Sequence, residues 1–86
     1  METILITGST SSIGEELAIS LSERYRIILS GRDITKLSNL KSKIYGVNHL
    51  IWVCDFVNDN ISLSLLEFLN KFQIKPTHFL HVGGDF

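Results

Sequence analysis

One stretch, residues 6–18, constrains the fold of this chain more than any other. An apolar strand pattern leads into Gly8, small hydroxyl side chains follow, and an amphipathic helical pattern begins near Gly14. A strand that passes through a small-residue turn into a helix leaves free backbone N–H groups at the start of the helix, where the helix dipole also favours negative charge. The stretch therefore predicts an anion-binding turn.

The rest of the chain alternates β-branched runs with segments of helical period. Strands are predicted at residues 3–7, 25–30, 49–53 and 77–82. The helices between them begin near Ile13, at the N-cap Asp33 and at Asn58-Asp59-Asn60; the second extends to about Ile44 and the third stops at Lys75-Pro76. Alternation of this kind is typical of βαβ units, and right-handed crossovers give the strand order 3-2-1-4.

The sequence therefore predicts a single α/β domain over residues 1–86. It would contain a four-stranded parallel sheet and three helices, which is an incomplete doubly wound sheet. Helical periodicity assigns the sheet-facing side chains: Ile13, Leu17 and Leu21 in the first helix, Ile34, Leu37, Leu40 and Ile44 in the second, and Leu65, Leu69 and Phe72 with Leu66 alongside in the third.

Composition narrows the classes of function. The net charge of −1 provides no field that would attract nucleic acid or an anionic membrane. No apolar run approaches the length of a membrane helix, and the N-terminus has no signal-peptide layout, so we expect a cytoplasmic protein without nucleic-acid or membrane partners. The single cysteine, Cys54, cannot form an internal disulfide, and no spacing of cysteine and histidine predicts a metal site.

The segment Thr7-Gly8-Ser9-Thr10-Ser11-Ser12-Ile13-Gly14 resembles the Thr-Gly-x-x-x-Gly-x-Gly fingerprint of the short-chain dehydrogenase/reductase family. The resemblance implies a Rossmann-like fold, with a dinucleotide cofactor bound by Gly8, Ser9, Thr10, Ser11, Ser12, Ile13 and Gly14. Ser12 stands where the family has its middle glycine, so its Cβ is expected to displace the loop slightly, while its hydroxyl could donate to a phosphate. The alternative is a β-to-α connection that merely uses small residues.

The end of the second strand bears on the choice of cofactor. In the family an acidic residue here binds the ribose hydroxyls, but Gly31 occupies that position and Arg32 follows it. A guanidinium can bind a 2′-phosphate through paired, charge-assisted hydrogen bonds, so the resemblance predicts NADP rather than NAD. Two alternatives stay open: Arg32 is a solvated loop residue, or Asp33 neutralises it or binds the ribose itself.

Two further segments match positions at which the family binds its cofactor. Asp55, followed by Phe56, comes after the third strand, where an acid hydrogen-bonds the adenine amino group; the alternative is a loop aspartate that caps a turn. Gly83 and Gly84 follow the fourth strand, where glycine lets backbone approach the ribose and nicotinamide. His81 replaces a family asparagine that ties this strand to its neighbour, and we interpret it as a satisfied, partly buried histidine.

The family's catalytic residues are not found in this sequence. Short-chain dehydrogenases use a Tyr-x-x-x-Lys pair with an upstream serine, whereas Tyr25 is followed four residues later by Leu29 and Tyr45 by His49. The resemblance therefore implies an NADP(H)-binding N-terminal segment of an oxidoreductase, covering about a third of a family domain, that binds without catalysing. The alternatives are a non-catalytic dinucleotide-binding or redox-sensing module and a ligand-free structural or interaction fragment.

The fourth strand is predicted at the edge of the sheet. It carries the apolar residues Phe79, Leu80 and Val82, and exposed strand edges tend to pair with another chain. We therefore expect either a truncated piece of a longer reductase, whose missing C-terminal half pairs there, or a short protein that forms a homo-oligomer through this edge.

Overall fold

The computed structural model describes residues 2–55 and 60–82. Strands and helices alternate along these ranges: β1 (Thr3–Thr7), α1 (Ser12–Leu21), β2 (Arg26–Gly31), α2 (Ile34–Lys43), β3 (Leu50–Val53), α3 (Ile61–Phe72) and β4 (His78–His81). The strands form one parallel sheet in the order β3-β2-β1-β4. The predicted fold class and strand order are confirmed, and the strand bounds differ from the predicted ones by one residue at most.

The register of the sheet brings the ends of β1, β2 and β4 level. Thr7, the last residue of β1, is opposite Ser30 of β2 and His81 of β4. Because parallel strands end at the same edge of a sheet, the segments that follow β1, β2 and β4 meet there. The predicted anion-binding turn follows β1 and lies between the other two.

Each face of the sheet is covered by a different set of helices. Ile4 and Ile6 of β1 pack in a core with residues of α1 and α2, whereas Leu5 packs on the opposite face with residues of α3. Successive side chains of a strand point to opposite faces, which is why one apolar strand contributes to both cores. Among the residues described, no helix is long and apolar enough to cross a membrane.

The predicted inner face of α1 was partly wrong. Ile13 is 64% exposed, Leu17 and Leu21 are half-buried, and the fully buried residues of the helix are Gly14 and Ala18. These two small residues face the sheet and let the helix approach it closely, so the bulky Ile13 side chain is turned outward. Periodicity alone selects the largest apolar side chains and overlooks a face made of small ones.

The inner faces of α2 and α3 also differ from prediction at their ends. Leu37, Leu40 and Ile44 are buried as predicted, but Ile34 is 52% exposed because it lies in the first turn of α2, beyond the core. In α3, Leu65 and Leu69 pack on the sheet as predicted, together with Ile61 and Phe68, whereas Leu66 and Phe72 are exposed.

Trp52 of β3 explains the orientation of α3. Its indole N–H donates to Ser64 Oγ at 3.0 Å, and its ring centroid lies 6.3 Å from that of Phe68. A buried indole usually finds an acceptor. The hydrogen bond and the ring contact together direct the Ser64 and Phe68 side of α3 toward β3.

The third helix ends earlier than the predicted stop at Lys75-Pro76, which is a further correction. Gln73 adopts the left-handed conformation, with φ of 53°, and caps the helix. The N–H of Gln73 donates to Asn70 O and the N–H of Ile74 donates to Leu69 O, so the last turn is closed before the proline. The predicted N-cap is confirmed at Asn60, whose side chain accepts from Leu63 N, while residues 58 and 59 lie outside the described ranges.

The left-handed Gln73 gives a test of the fold. Gln73→Gly is expected to raise the free energy of unfolding by about 0.5–1 kcal/mol, because a Cβ is penalised in this conformation and glycine has none. The matched control is Glu67→Gly in the exposed interior of α3, where glycine is expected to lower stability by about 0.5–1 kcal/mol. Urea denaturation measures both, and a Gln73→Gly variant as destabilised as the control would contradict the assigned cap.

Candidate functional site

Two glycines define the turn between β1 and α1. Gly8 has φ of +70°, and a Cβ placed on it would run into the carbonyl oxygen of Val82. A Cβ on Gly14 would overlap the carbonyl oxygen of Gly8 and lie 2.9 Å from Ser9 Cα. The first glycine is therefore required by backbone conformation and close approach, and the second lets α1 begin directly against the turn.

Ser9 attaches the turn to β2. Its buried hydroxyl donates to Ile6 O at 2.6 Å and accepts from Ser30 N at 3.1 Å, and its own N–H donates to Ser30 O at 3.2 Å. The Ser9 hydroxyl is thus engaged within the protein and holds the turn in place. The backbone N–H of Ser9 is engaged as well, so Ser9 connects the turn to β2 through both its side chain and its main chain.

Ser11 is the N-cap of α1. Its Oγ accepts from Gly14 N at 3.0 Å and lies 2.8 Å from Gly8 O, to which it donates, while its carbonyl accepts from Glu15 N. Within the described ranges, the N–H groups of Ser12 and Ile13 have no acceptor. These two donors point out of the helix start, which is the arrangement that binds anions.

Ser12 replaces glycine without straining the backbone. It is the first residue of α1, it is exposed, and it does not have a positive φ. Thr10 is half-buried and Ile13 is exposed beside it. The exposed surface of the turn is therefore formed by side chains 10–13.

The end of β2 supplies an exposed cation. Arg32 makes no hydrogen bond or ion pair within residues 2–55 and 60–82. Asp33 is the N-cap of α2, and its Oδ1 accepts from Thr35 N at 2.9 Å and from Lys36 N at 3.3 Å. The predicted cap is confirmed, and no ion pair joins Asp33 to Arg32. A Cβ on Gly31 would meet the Leu37 side chain at 3.6 Å, an ordinary contact distance.

Of the four remaining predicted site residues, one lies within the described ranges. Asp55 is half-buried directly after β3, and the preceding Cys54 N–H donates to Gly31 O at 2.8 Å, so the ends of β2 and β3 are joined. Phe56, Gly83 and Gly84 lie outside the described residues. In the part of the chain that is described, no group of three or more side chains has the arrangement of a metal site.

His81 differs from its predicted environment. It is exposed rather than partly buried, but its Nδ1 lies 2.6 Å from Thr7 Oγ1, and Val82 N donates to Thr7 O at 3.1 Å. The side chain therefore connects the end of β4 to the end of β1.

Sequence reasoning missed a cleft beside the turn. It has a volume of about 320 Å³ and is lined by Thr10, Glu15, Lys36, Asn39, Leu40 and Lys43. Residues 36, 39 and 43 have the spacing of one helix face, but nothing in the sequence places that face beside the turn. The turn therefore has a polar, lysine-containing neighbour on α2.

Sequence comparison and structural comparison give different results. No protein-family model matches the sequence, and no curated protein matches it significantly. Solved structures do match. A short-chain dehydrogenase from Bacillus anthracis aligns with a TM-score of 0.78 and 22% identity, over 91% of this chain and 34% of the other.

Two further solved structures have a similar fold and a similar level of sequence identity to this chain. Glucose dehydrogenase of Caenorhabditis elegans has a TM-score of 0.75 and 22% identity, over 99% of this chain and 38% of its own. A protein of Escherichia coli assigned to the short-chain dehydrogenases has a TM-score of 0.82 and 24% identity, over 96% and 39%. The chain thus spans less than two-fifths of the length of each. In fold, this chain is a Rossmann-like α/β unit that is similar to a part of each of those proteins.

Proposed function

We propose that this chain is the NADP(H)-binding N-terminal part of a short-chain dehydrogenase/reductase-like oxidoreductase. The observation that carries the proposal is the open start of α1, where Gly8 and Gly14 fix the turn and the N–H groups of Ser12 and Ile13 face outward. A pyrophosphate seated there would accept both hydrogen bonds at the positive end of the helix dipole. The exposed hydroxyl of Ser12 adds a donor beside it.

The choice of NADP over NAD is supported by the residues after β2. No carboxylate occupies position 31, and the exposed Arg32 guanidinium is not engaged by a carboxylate in the described part of the chain. Asp33 Oδ1 is engaged in capping α2. A cation without a competing acid favours a 2′-phosphate over a bare ribose hydroxyl.

Other contacts complete the proposed binding mode. Asp55 would accept from the adenine amino group, and Phe56, Gly83 and Gly84 would adjoin the remainder of the cofactor. The fold of the solved neighbours supports a nicotinamide dinucleotide as the ligand class. The parent chemistry is hydride transfer between nicotinamide and a carbonyl or alcohol, in which the reduced cofactor would supply the hydride to a carbonyl and the oxidised cofactor would accept it from an alcohol.

This chain is proposed to bind the cofactor without turning over substrate. Neither tyrosine belongs to a Tyr-x-x-x-Lys pair, because Leu29 and His49 occupy the fourth positions after them. No group in the sequence matches the acid/base that the proposed reaction requires. Catalysis by the family mechanism would need residues supplied by further chain.

The outer edge of β4 is the proposed place where further sheet is added. Within the described residues β4 pairs only with β1, and Phe79 is 57% exposed on it. Either a C-terminal half or a second copy of the chain would satisfy the free backbone groups of this edge. Light scattering that shows a stable monomer with the amides of β4 freely exchanging would contradict this part of the proposal.

The proposed cofactor is tested by calorimetric titration of NADPH and NADH into the wild type and Arg32→Ala. The wild type is expected to bind NADPH about tenfold or more tightly than NADH, and the variant to lose most of that preference because a charge-assisted contact to the 2′-phosphate is removed. Arg24→Ala is the matched control, since Arg24 is exposed at the opposite end of the sheet. Equal wild-type affinities would contradict the NADP assignment, and binding of neither dinucleotide would contradict the function.

A further inference from the structure

His49, which lies directly before β3, is a buried histidine outside the proposed site. Its Nδ1 accepts a hydrogen bond from Ile27 N on β2 at 2.9 Å, and its Nε2 is hydrogen-bonded to Tyr45 O in the connection between α2 and β3. A backbone N–H can only donate and a carbonyl oxygen can only accept. Nδ1 is therefore without hydrogen and Nε2 carries one, so the ring that satisfies both contacts is the neutral one.

Tyr45 extends these contacts to the end of α1. Its N–H donates to Ser22 Oγ at 2.9 Å, and that hydroxyl donates to Ile19 O at 2.7 Å. Gly46 follows with φ of +93°, and a Cβ placed on it would lie 3.2 Å from His49 Nε2, so the chain passes close to the ring. The connection between α2 and β3 is thus attached to α1 through Ser22 and to β2 through His49.

The surrounding elements offer no carboxylate that would compensate a proton on His49. Residues 34–54, which include α2 and β3, contain no acid. Glu23, after α1, is exposed and forms no ion pair within the described residues, and Glu15 of α1 is directed toward Lys43 at 3.7 Å. The other titratable side chains of residues 25–31 and 34–48 are two tyrosines and four cations: Tyr25, Tyr45, Arg26, Lys36, Lys41 and Lys43.

The end of α2 is the feature that most favours a positive charge near His49, because the helix dipole attracts cations to a C-terminus. The neutral ring, however, already donates from Nε2 to Tyr45 O, which lies two residues beyond the helix. Protonation therefore adds no hydrogen bond there, and it removes the one at Nδ1, where two N–H groups would face each other. Burial further disfavours the charged ring, since an unpaired charge loses its hydration.

We propose that His49 is a proton-sensitive latch, which holds the connection between α2 and β3 against β2 as a neutral imidazole and releases it on taking up a proton. A solvated histidine gains its proton near about pH 6.5, so below that pH the unfolded chain binds one more proton than the latched chain. Proton uptake then favours the unfolded chain, and the latch contributes its full stability only above about pH 6.5. For one such histidine the folding equilibrium constant is expected to fall about 30-fold between pH 8 and pH 5.

The latch is tested on the whole chain by urea denaturation of the wild type, His49→Gln and His78→Gln at pH 8 and pH 5. The wild type and His78→Gln, which loses an exposed histidine, are expected to show the loss of about 30-fold. His49→Gln should show at most about a few-fold loss, because glutamine does not ionise. Equal losses in the wild type and His49→Gln would contradict the latch, as would a wild type equally stable at both pH values.

NMR of the ¹⁵N-labelled imidazole rings tests the same inference on the wild type and decides it if His49→Gln does not fold. At pH 7.5 the His49 ring is expected to be the neutral tautomer with hydrogen on Nε2, and at pH 5.5 the folded chain should still hold it neutral. An Nδ1–H tautomer, or a charged His49 ring in the folded chain at pH 5.5, would overturn the latch. Neither measurement involves a dinucleotide, so the outcome is independent of the proposed function.

Discussion

Gly14→Ala is expected to lower the free energy of unfolding by about 2–4 kcal/mol and to abolish dinucleotide binding. The added Cβ would overlap the carbonyl oxygen of Gly8 and lie 2.9 Å from Ser9 Cα, which are backbone atoms that no change of rotamer can move away. Relief requires α1 to shift from the turn, and overpacking of this kind is among the more destabilising single changes. The shift would also displace the N–H groups of Ser12 and Ile13.

Urea denaturation monitored by circular dichroism measures the change in stability, and calorimetry measures the loss of binding. Ser20→Ala is the control, because Ser20 is exposed on the same helix and its replacement is expected to change stability by less than about 0.5 kcal/mol. The loss of about 2–4 kcal/mol expected for Gly14→Ala is a large fraction of the total stability of a small domain. A Gly14→Ala variant as stable as the wild type would show that α1 does not need this close approach.

Gly31→Asp is expected to reverse the cofactor preference, with NADPH bound about 100-fold more weakly and NADH at least as tightly as by the wild type. The carboxylate would repel the 2′-phosphate and would accept hydrogen bonds from the ribose hydroxyls of NADH. The variant should fold normally, because the atom nearest to a Cβ at position 31 belongs to the Leu37 side chain and lies at 3.6 Å, an ordinary contact distance. The effect is therefore one of charge rather than of packing.

Gly31→Ala separates these two causes. It adds the same Cβ without a carboxylate, so it is expected to keep the wild-type ratio of NADPH to NADH affinity. Both variants are titrated calorimetrically with both dinucleotides. If Gly31→Asp and Gly31→Ala give the same ratio, position 31 does not face the adenosine ribose.

Much of the fold could be predicted because its signals are local. The strand order follows from the alternation of β-branched and helical segments, and Asp33 and Asn60 are recognisable as N-caps because their side chains accept from N–H groups two or three residues away. The need for glycine at positions 8 and 14 was also visible in the motif. The N-caps, the positive φ of Gly8 and the contact between Gly14 and Gly8 are each encoded within a few residues of where they act.

Features that depend on distant contacts could not be predicted. His49 is buried, with Nδ1 accepting from Ile27 N at 2.9 Å and Nε2 bonded to Tyr45 O, and nothing near His49 in the sequence identifies Ile27 as a partner. The hydrogen bond from Ser30 N to the Ser9 hydroxyl also joins residues that are far apart in the sequence. Ile13 is exposed because small residues bring α1 close to the sheet, which is a property of packing rather than of periodicity.

The site shows the same division between local and distant signals. Arg32 could be found from its place after a strand, whereas the cleft becomes visible only when α2 is seen to lie beside Thr10. Periodicity identifies the residues that share a helix face, but tertiary packing determines what that face lies against. This difference explains why the motif residues were predicted and the cleft was not.

Dinucleotide binding at the turn is tested most directly by an NMR titration of the ¹⁵N-labelled chain with NADPH. We expect the largest changes in amide chemical shift at Ser12 and Ile13, whose N–H groups would donate to the pyrophosphate, and smaller changes around Arg32. Amides on the outer face of α3, such as those of Glu67 and Asn70, should be unaffected. Saturating NADPH that leaves the Ser12 and Ile13 amides unchanged would contradict binding at this turn.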